Sequence, residues 1–175
     1  MKNFKFILPA AIIAIAACSP ATRNADDQNA KTDSASTAPV SQQTEARPLF
    51  AKMTIKDTIK SGEPVQLKFT VYNTADSVQQ FCKWHTPFEP LISKYLDIRD
   101  ENGEEVNYKG AMAKRIMPPP ASSYQKLNPK DSLSADVDLS KGYAITKPAK
   151  YTILYNSQNM SGLVVKDSIT FVYGK

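Results

Sequence analysis

Val65-Gln66-Leu67-Lys68-Phe69-Thr70-Val71 alternates strictly between apolar and polar residues. A period of two puts Val65, Leu67, Phe69 and Val71 on one side of an extended chain and Gln66, Lys68 and Thr70 on the other. The same rhythm precedes it at Leu49, Ala51, Met53 and Ile55, and returns at Leu133, Ala135, Val137 and Leu139. Each run therefore predicts a strand with one face in a core and one in water. Ser61-Gly62-Glu63-Pro64 and Asn73-Thr74-Ala75-Asp76 supply turn chemistry between the first of them.

Further out, short strands are expected at Val78–Trp84, Tyr124–Leu127, Tyr151–Tyr155 and Ile169–Tyr173. Leu96–Arg99 and Glu105–Tyr108, joined by Asp100-Glu101-Asn102-Gly103, read as a hairpin. No segment carries a sustained helical period. Many short strands in one domain of this size predict an all-β fold, an immunoglobulin-like antiparallel β-sandwich over residues 48–175. Trp84, on the third strand, is expected to fill the space between the two sheets.

The first 47 residues have a different character. Lys2 and Lys5, the apolar run Phe6–Ala17 and the small residues of Ile15-Ala16-Ala17 before Cys18 describe a secretory leader. With cysteine directly after the cut, the motif resembles a bacterial lipoprotein signal, residues 1–17, whose thiol at Cys18 is acylated. The leader is too short, and interrupted at Pro9, to cross a bilayer as a helix. Residues 18–47 read as a lipidated N-terminus and disordered linker: they hold no aromatic residue and no glycine, and Val40 is their largest aliphatic side chain. As a flexible coil this tether spans roughly 30 Å. The implied partner is a membrane, reached through acyl chains on Cys18. The implied location is the bacterial cell envelope, with Ser19 favouring the outer membrane over the inner.

Removal of the leader lowers the net charge from +5 to +3. The remaining cations are scattered, which gives nucleic-acid binding no support. If Cys18 carries lipid, Cys82 has no partner in the chain and reads as a packing cysteine, or as a thiol for intermolecular pairing.

His85 is the one imidazole in the chain. A catalytic zinc site takes three protein ligands, commonly with more than one histidine, and a nucleophilic triad needs an oriented acid and an activated serine. Neither pattern is present, so no catalytic residue, metal ligand or cofactor is expected, and His85 reads as a surface or structural residue, or as a binding contact. Asp97, Asp100, Glu101, Asn102, Glu104 and Glu105 gather oxygen atoms, but their spacing fails the calcium-loop pattern and reads as a solvated hairpin tip. Two proline-stiffened apolar stretches, Thr86–Leu91 and Ile116–Pro120, are the places to expect a protein-binding surface. The residues singled out there are His85, Pro87, Phe88, Lys114, Arg115, Met117 and Pro118.

An ordered set of short motifs points to a family. Ser61-Gly62-Glu63-Pro64-Val65, Phe69-Thr70-Val71-Tyr72-Asn73-Thr74 and Lys83-Trp84-His85-Thr86-Pro87-Phe88-Glu89 are followed by Tyr108-Lys109-Gly110 and Lys114-Arg115. Leu127-Asn128-Pro129-Lys130-Asp131-Ser132, then Tyr143 with Lys147-Pro148-Ala149-Lys150-Tyr151-Thr152, complete it. Together they resemble the N-terminal, non-catalytic β-sandwich region of deuterolysin-like (peptidyl-Lys) metalloendopeptidases. Those enzymes carry an HExxH zinc domain, and this sequence has no such motif. The resemblance thus implies the accessory fold without the activity, and a module that binds or inhibits a metalloprotease in trans. A structural envelope lipoprotein is the alternative reading, and an accessory subunit of a protease the third.

Overall fold

The computed structural model describes residues 47–174. Cys18, the leader and the tether lie outside the described residues. Strand β1 (Leu49–Ile55) pairs with β3 (Gln66–Asn73), and β3 pairs in turn with β7 (Ser132–Asp138), all antiparallel. The register sets Met53, Phe69 and Ala135 side by side. Leu67, Phe69 and Val71 are wholly buried, as the period of two requires. On the outer face Thr70 and Ser134 share a hydroxyl hydrogen bond of 2.8 Å. Each large apolar side chain removed from water in this way contributes about 2 kcal/mol.

The second sheet has the order β2 (Thr58–Ile59), β9 (Ile169–Tyr173), β8 (Ala149–Tyr155), β5 (Leu96–Asp100). Ile98, Ile153 and Ile169 face one another across it, and the rings of Tyr151 and Phe171 stack at 5.4 Å. One cluster of buried side chains joins the inner faces of the two sheets, which is the core of a sandwich. The Tyr151 hydroxyl donates to the carbonyl of Lys147 at 2.8 Å, the tyrosine-corner contact of immunoglobulin-like sandwiches. Tyr143 clamps the Leu139–Lys141 turn to β5, its hydroxyl lying 3.1 Å from the amide of Leu96 and 3.2 Å from its carbonyl. Among the described residues the buried apolar side chains run from Ala51 to Tyr173, and one cluster of them fills the space between the sheets.

Several expectations need correction. The chain moves from the first sheet to the second after Ile55, and β2 pairs with β9 in parallel, so the sandwich is not wholly antiparallel. The amide of Val172 bonds the carbonyl of Asp57, and that of Gly174 bonds Ile59, which secures the switch. Glu105–Tyr108 forms only single bridges, Arg99 to Glu105 and Tyr108 to Tyr143, not a strand. The amide of Val106 still bonds the carbonyl of Ile98, but the Tyr108 hydroxyl donates instead to the carbonyls of Leu91 and Ala111, away from β5. The segment expected at Val78–Trp84 shortens to β4 (Gln79–Cys82), which pairs with β6 (Tyr124–Leu127) as a separate two-stranded ribbon. Trp84 consequently lies past the strand, and it is buried outside the inter-sheet core rather than within it. One unexpected helical turn, α1 (Gln158–Ser161), ends on Gly162 at φ +80°, a left-handed conformation that suits glycine.

Candidate functional site

After β4 the chain makes a tight loop whose polar groups bond to one another. The Thr86 hydroxyl donates to the carbonyl of Lys83 at 2.6 Å and accepts the amide of Phe88 at 3.2 Å. Thr86 is wholly buried, so these bonds satisfy a hydroxyl that would otherwise oppose folding. His85 takes a left-handed backbone, φ +59°, and its amide donates to Glu89 Oε1 at 2.9 Å. Pro87 and Pro90 stiffen the same turn.

Arg115 completes the arrangement from 26 residues away. Its guanidinium bonds Glu89 Oε1 and the Ser93 hydroxyl, the latter at 3.1 Å, and its Cζ lies 4.7 Å from the centre of the Trp84 ring. Only 15% of the Arg115 side chain and 6% of the Glu89 side chain meet solvent. An arginine held flat between a carboxylate and an indole joins a bidentate-capable cation to a π face, two attractions that strengthen away from water.

The His85 ring reaches the other side of the loop, 3.4 Å from the Ser157 hydroxyl beside α1. Burial lowers its pKa below the ordinary 6.5, and the positive charge of Arg115 acts in the same direction while Glu89 opposes. The Tyr155 hydroxyl lies 3.0 Å from the carbonyl of His85 and 2.7 Å from the Ser161 hydroxyl, and burial pushes its pKa up. The imidazole thus bridges two loops in surroundings that favour its neutral form. It faces a serine at long range, and among the described residues no carboxylate accepts from its ring as a triad acid would.

The structure divides the seven residues singled out from sequence. His85, Phe88 and Arg115 are half-buried, Pro87 is buried, and Lys114, Met117 and Pro118 are exposed. Phe88 packs inward, with ring centres 5.1 Å from Phe81 and 6.4 Å from Phe69. The first loop is thus a structural knot, and the accessible part of the pair is the tip carried by Lys114–Pro118. Trp84, Glu89, Ser93 and Ser157 were not foreseen as members of the site. The signal for Glu89 was its place four residues after His85 in a proline-bounded turn, whereas nothing in the spacing announces Ser93 or Ser157.

The acidic cluster is occupied by its own neighbours. Asp100 Oδ1 accepts the amides of Asn102 and Glu104 at 2.9 Å each, and Glu101 accepts that of Lys150 at 3.0 Å. Lys94 bonds Glu105 and lies 3.4 Å from Asp97. Among the described residues no group of three or more His, Cys, Asp or Glu is placed to hold a metal ion. Cys82 is buried, more deeply than a half-buried packing residue, and has no disulfide partner among the described residues.

Comparison with known proteins agrees with the architecture. The chain is 29% identical over 104 residues to an uncharacterized secreted protein of Arthroderma benhamiae, covering 57% of this chain and 53% of that protein. It is 29% identical over 107 residues to an extracellular protease of Aeromonas hydrophila, covering 61% of this chain and 30% of that protein. The chain thus spans about half the length of the first relative and under a third of the second. The family model for the immunoglobulin-like domain matches residues 52–161, from β1 to the end of α1. With this match over most of the sandwich, the chain belongs to the immunoglobulin-like domain family.

Proposed function

We propose that the chain is a lipid-anchored, non-catalytic β-sandwich module of the bacterial envelope, which binds a protein partner and has a metallopeptidase as its foremost partner class. One observation carries this reading. The family match covers residues 52–161 of the sandwich, and the likeness to the extracellular protease takes in 61% of this chain but only 30% of that protein, which supports a shared module. The motif order around Trp84 and Arg115 supports a deuterolysin-like relative in particular, and these residues hold the loop rigid instead of presenting a reactive group. A rigid loop loses little entropy when a partner docks. The leader motif ending at Cys18 supports the anchor, and the secreted or extracellular names of the relatives agree with an exported module.

The experiment has two arms. Labelling cells with palmitate should mark the wild-type chain and not C18S. Purified residues 47–175 should bind, and slow substrate hydrolysis by, a secreted metallopeptidase encoded beside this chain. Label on C18S removes the anchor. Peptidase turnover unaltered by an excess of the fragment removes the partner class and leaves the structural envelope role.

A further inference from the structure

Six large hydrophobic side chains stand exposed among the described residues, and four of them fall between positions 112 and 124. Ile116 is 81% exposed, Met112 68% and Met117 63%, with Tyr124 close behind in sequence. Such a concentration on one short segment marks an interaction surface. Pro118, Pro119 and Pro120 stiffen it, and the amide of Ala113 bonds Ile92 at 2.8 Å, while Arg115 is tied down inside. The tip is held out from a fixed base.

Its charge is one-sided. From Val106 to Lys130 the sequence holds Lys109, Lys114, Arg115, Lys126 and Lys130 and no Asp or Glu. Two carboxylates meet this segment: Asp76 pairs at 3.1 Å with Lys130 at its far end, and Glu89 is withdrawn into the domain and bonded to Arg115. Protein interfaces are enriched in arginine, methionine and aromatic anchors and depleted in lysine, so the lysines are what discriminate here. Here the arginine is withdrawn, and the exposed cations Lys109 and Lys114 are lysines. The three most exposed side chains, Ile116, Met112 and Met117, are aliphatic or thioether, with the aromatic Tyr124 less exposed at 39%. Lysine beside unpaired aliphatic tips fits an anionic lipid surface, where the tips enter the acyl boundary and the ammonium groups remain among the headgroups.

We propose that Met112, Ile116 and Met117, flanked by Lys109 and Lys114, seat this domain on an anionic phospholipid bilayer. The contact is separate from acylation at Cys18 and orients the sandwich on the surface. It takes the place of the protein contact expected at Lys114, Met117 and Pro118. The proposal does not depend on the anchor, because the fragment that tests it lacks Cys18.

Residues 47–175 are sedimented with phosphatidylcholine vesicles and with vesicles containing about three parts phosphatidylglycerol in ten. Binding should be strong only to the second set and should weaken as salt is raised. K114Q should lower the partition coefficient about fivefold. I116D/M117D should lower it at least about tenfold, with an unchanged melting temperature because both positions are exposed. Equal binding to both vesicle types would overturn the proposal, as would wild-type binding by the double variant. So would a fragment that ignores all vesicles yet needs Ile116 and Met117 to bind a purified peptidase, which would make the tip a protein contact.

Discussion

Arg115 sits where removal of its charge leaves Glu89 unpaired in a nearly dry pocket. Breaking one side of such a pair costs more than the pair itself contributes, because the remaining ion has no solvent to receive it. R115M should therefore lower unfolding free energy by about 3 kcal/mol in urea titration. E89Q combined with R115M should cost clearly less than the sum of the two single changes. Additive losses would mean that Arg115 stabilises the loop through Trp84 alone. His85, next to this pair, offers a pH readout, since it is the one histidine and gives a single imidazole signal. Burial and Arg115 lower its pKa in the fold, so its NMR midpoint should fall below 6.5. The unfolded chain then binds the proton more readily. The stability held by neutral His85 is complete above pH 6.5 and declines as pH drops from 6.5 to the folded midpoint. Wild type should lose more stability over that interval than H85N, whose asparagine tolerates the left-handed backbone. An NMR midpoint at or above 6.5 would contradict the burial argument. Little of this was legible in advance. Spacing brings Glu89 near His85, but Arg115 reaches them through tertiary folding, and no local pattern encodes that.

At the scale of elements, alternation was the legible part, because a half-buried strand writes its two faces directly into the sequence. β1, β6 and β9 stand at their expected bounds, and β3, β7 and β8 within a residue or two of theirs. The parallel pairing of β2 was hidden, since two residues carry no period and the pairing is decided by where Asp57 meets Val172. The hairpin partner of β5 failed for a related reason: good turn chemistry at Asp100–Gly103 says nothing of a tyrosine pulled elsewhere. The turn at Asn73 was legible as a turn but not as a knot. Asn73 is 2% exposed, its Nδ2 lies 2.9 Å from the Ser77 carbonyl, 3.2 Å from Leu127 and 2.8 Å from Asn128, and its Oδ1 accepts the amide of Ala75 at 3.0 Å. One side chain thus ties the end of β3 to the connection between β6 and β7. N73A should cost about 2–3 kcal/mol, because it strands buried carbonyls and an amide together. A loss below about 0.5 kcal/mol would show that the backbone turn holds without the side chain.

At the scale of the whole molecule the question is whether the Trp84–Arg115 lobe belongs to the sandwich or opens by itself. Cys82 and Trp84 are buried outside the inter-sheet cluster, whereas Phe81 and Leu127 of the β4–β6 ribbon belong to it, so only the loop beyond the ribbon is a satellite. Phe88 is the bridge, in edge contact with Phe81 on the ribbon and with Phe69 at the centre of the first sheet. Tyr155 adds a second tie, from β8 to the carbonyl of His85. These two ties, added to Phe81 and Leu127 of the ribbon within the core, favour one cooperative transition. Trp84 is the only tryptophan, so its fluorescence reports the lobe, while far-ultraviolet circular dichroism reports the sheets. In the wild type the two urea midpoints should coincide. F88A leaves a cavity between lobe and sheet and should cost about 2 kcal/mol, less than a fully buried phenylalanine because Phe88 is half-exposed. Its fluorescence midpoint should move below its dichroism midpoint, since the remaining tie through Tyr155 cannot hold the lobe as long as the sheets persist. Coincident midpoints in F88A would assign the coupling to Tyr155 and the ribbon's Phe81 and Leu127, and separate midpoints in the wild type would make the lobe an independent unit.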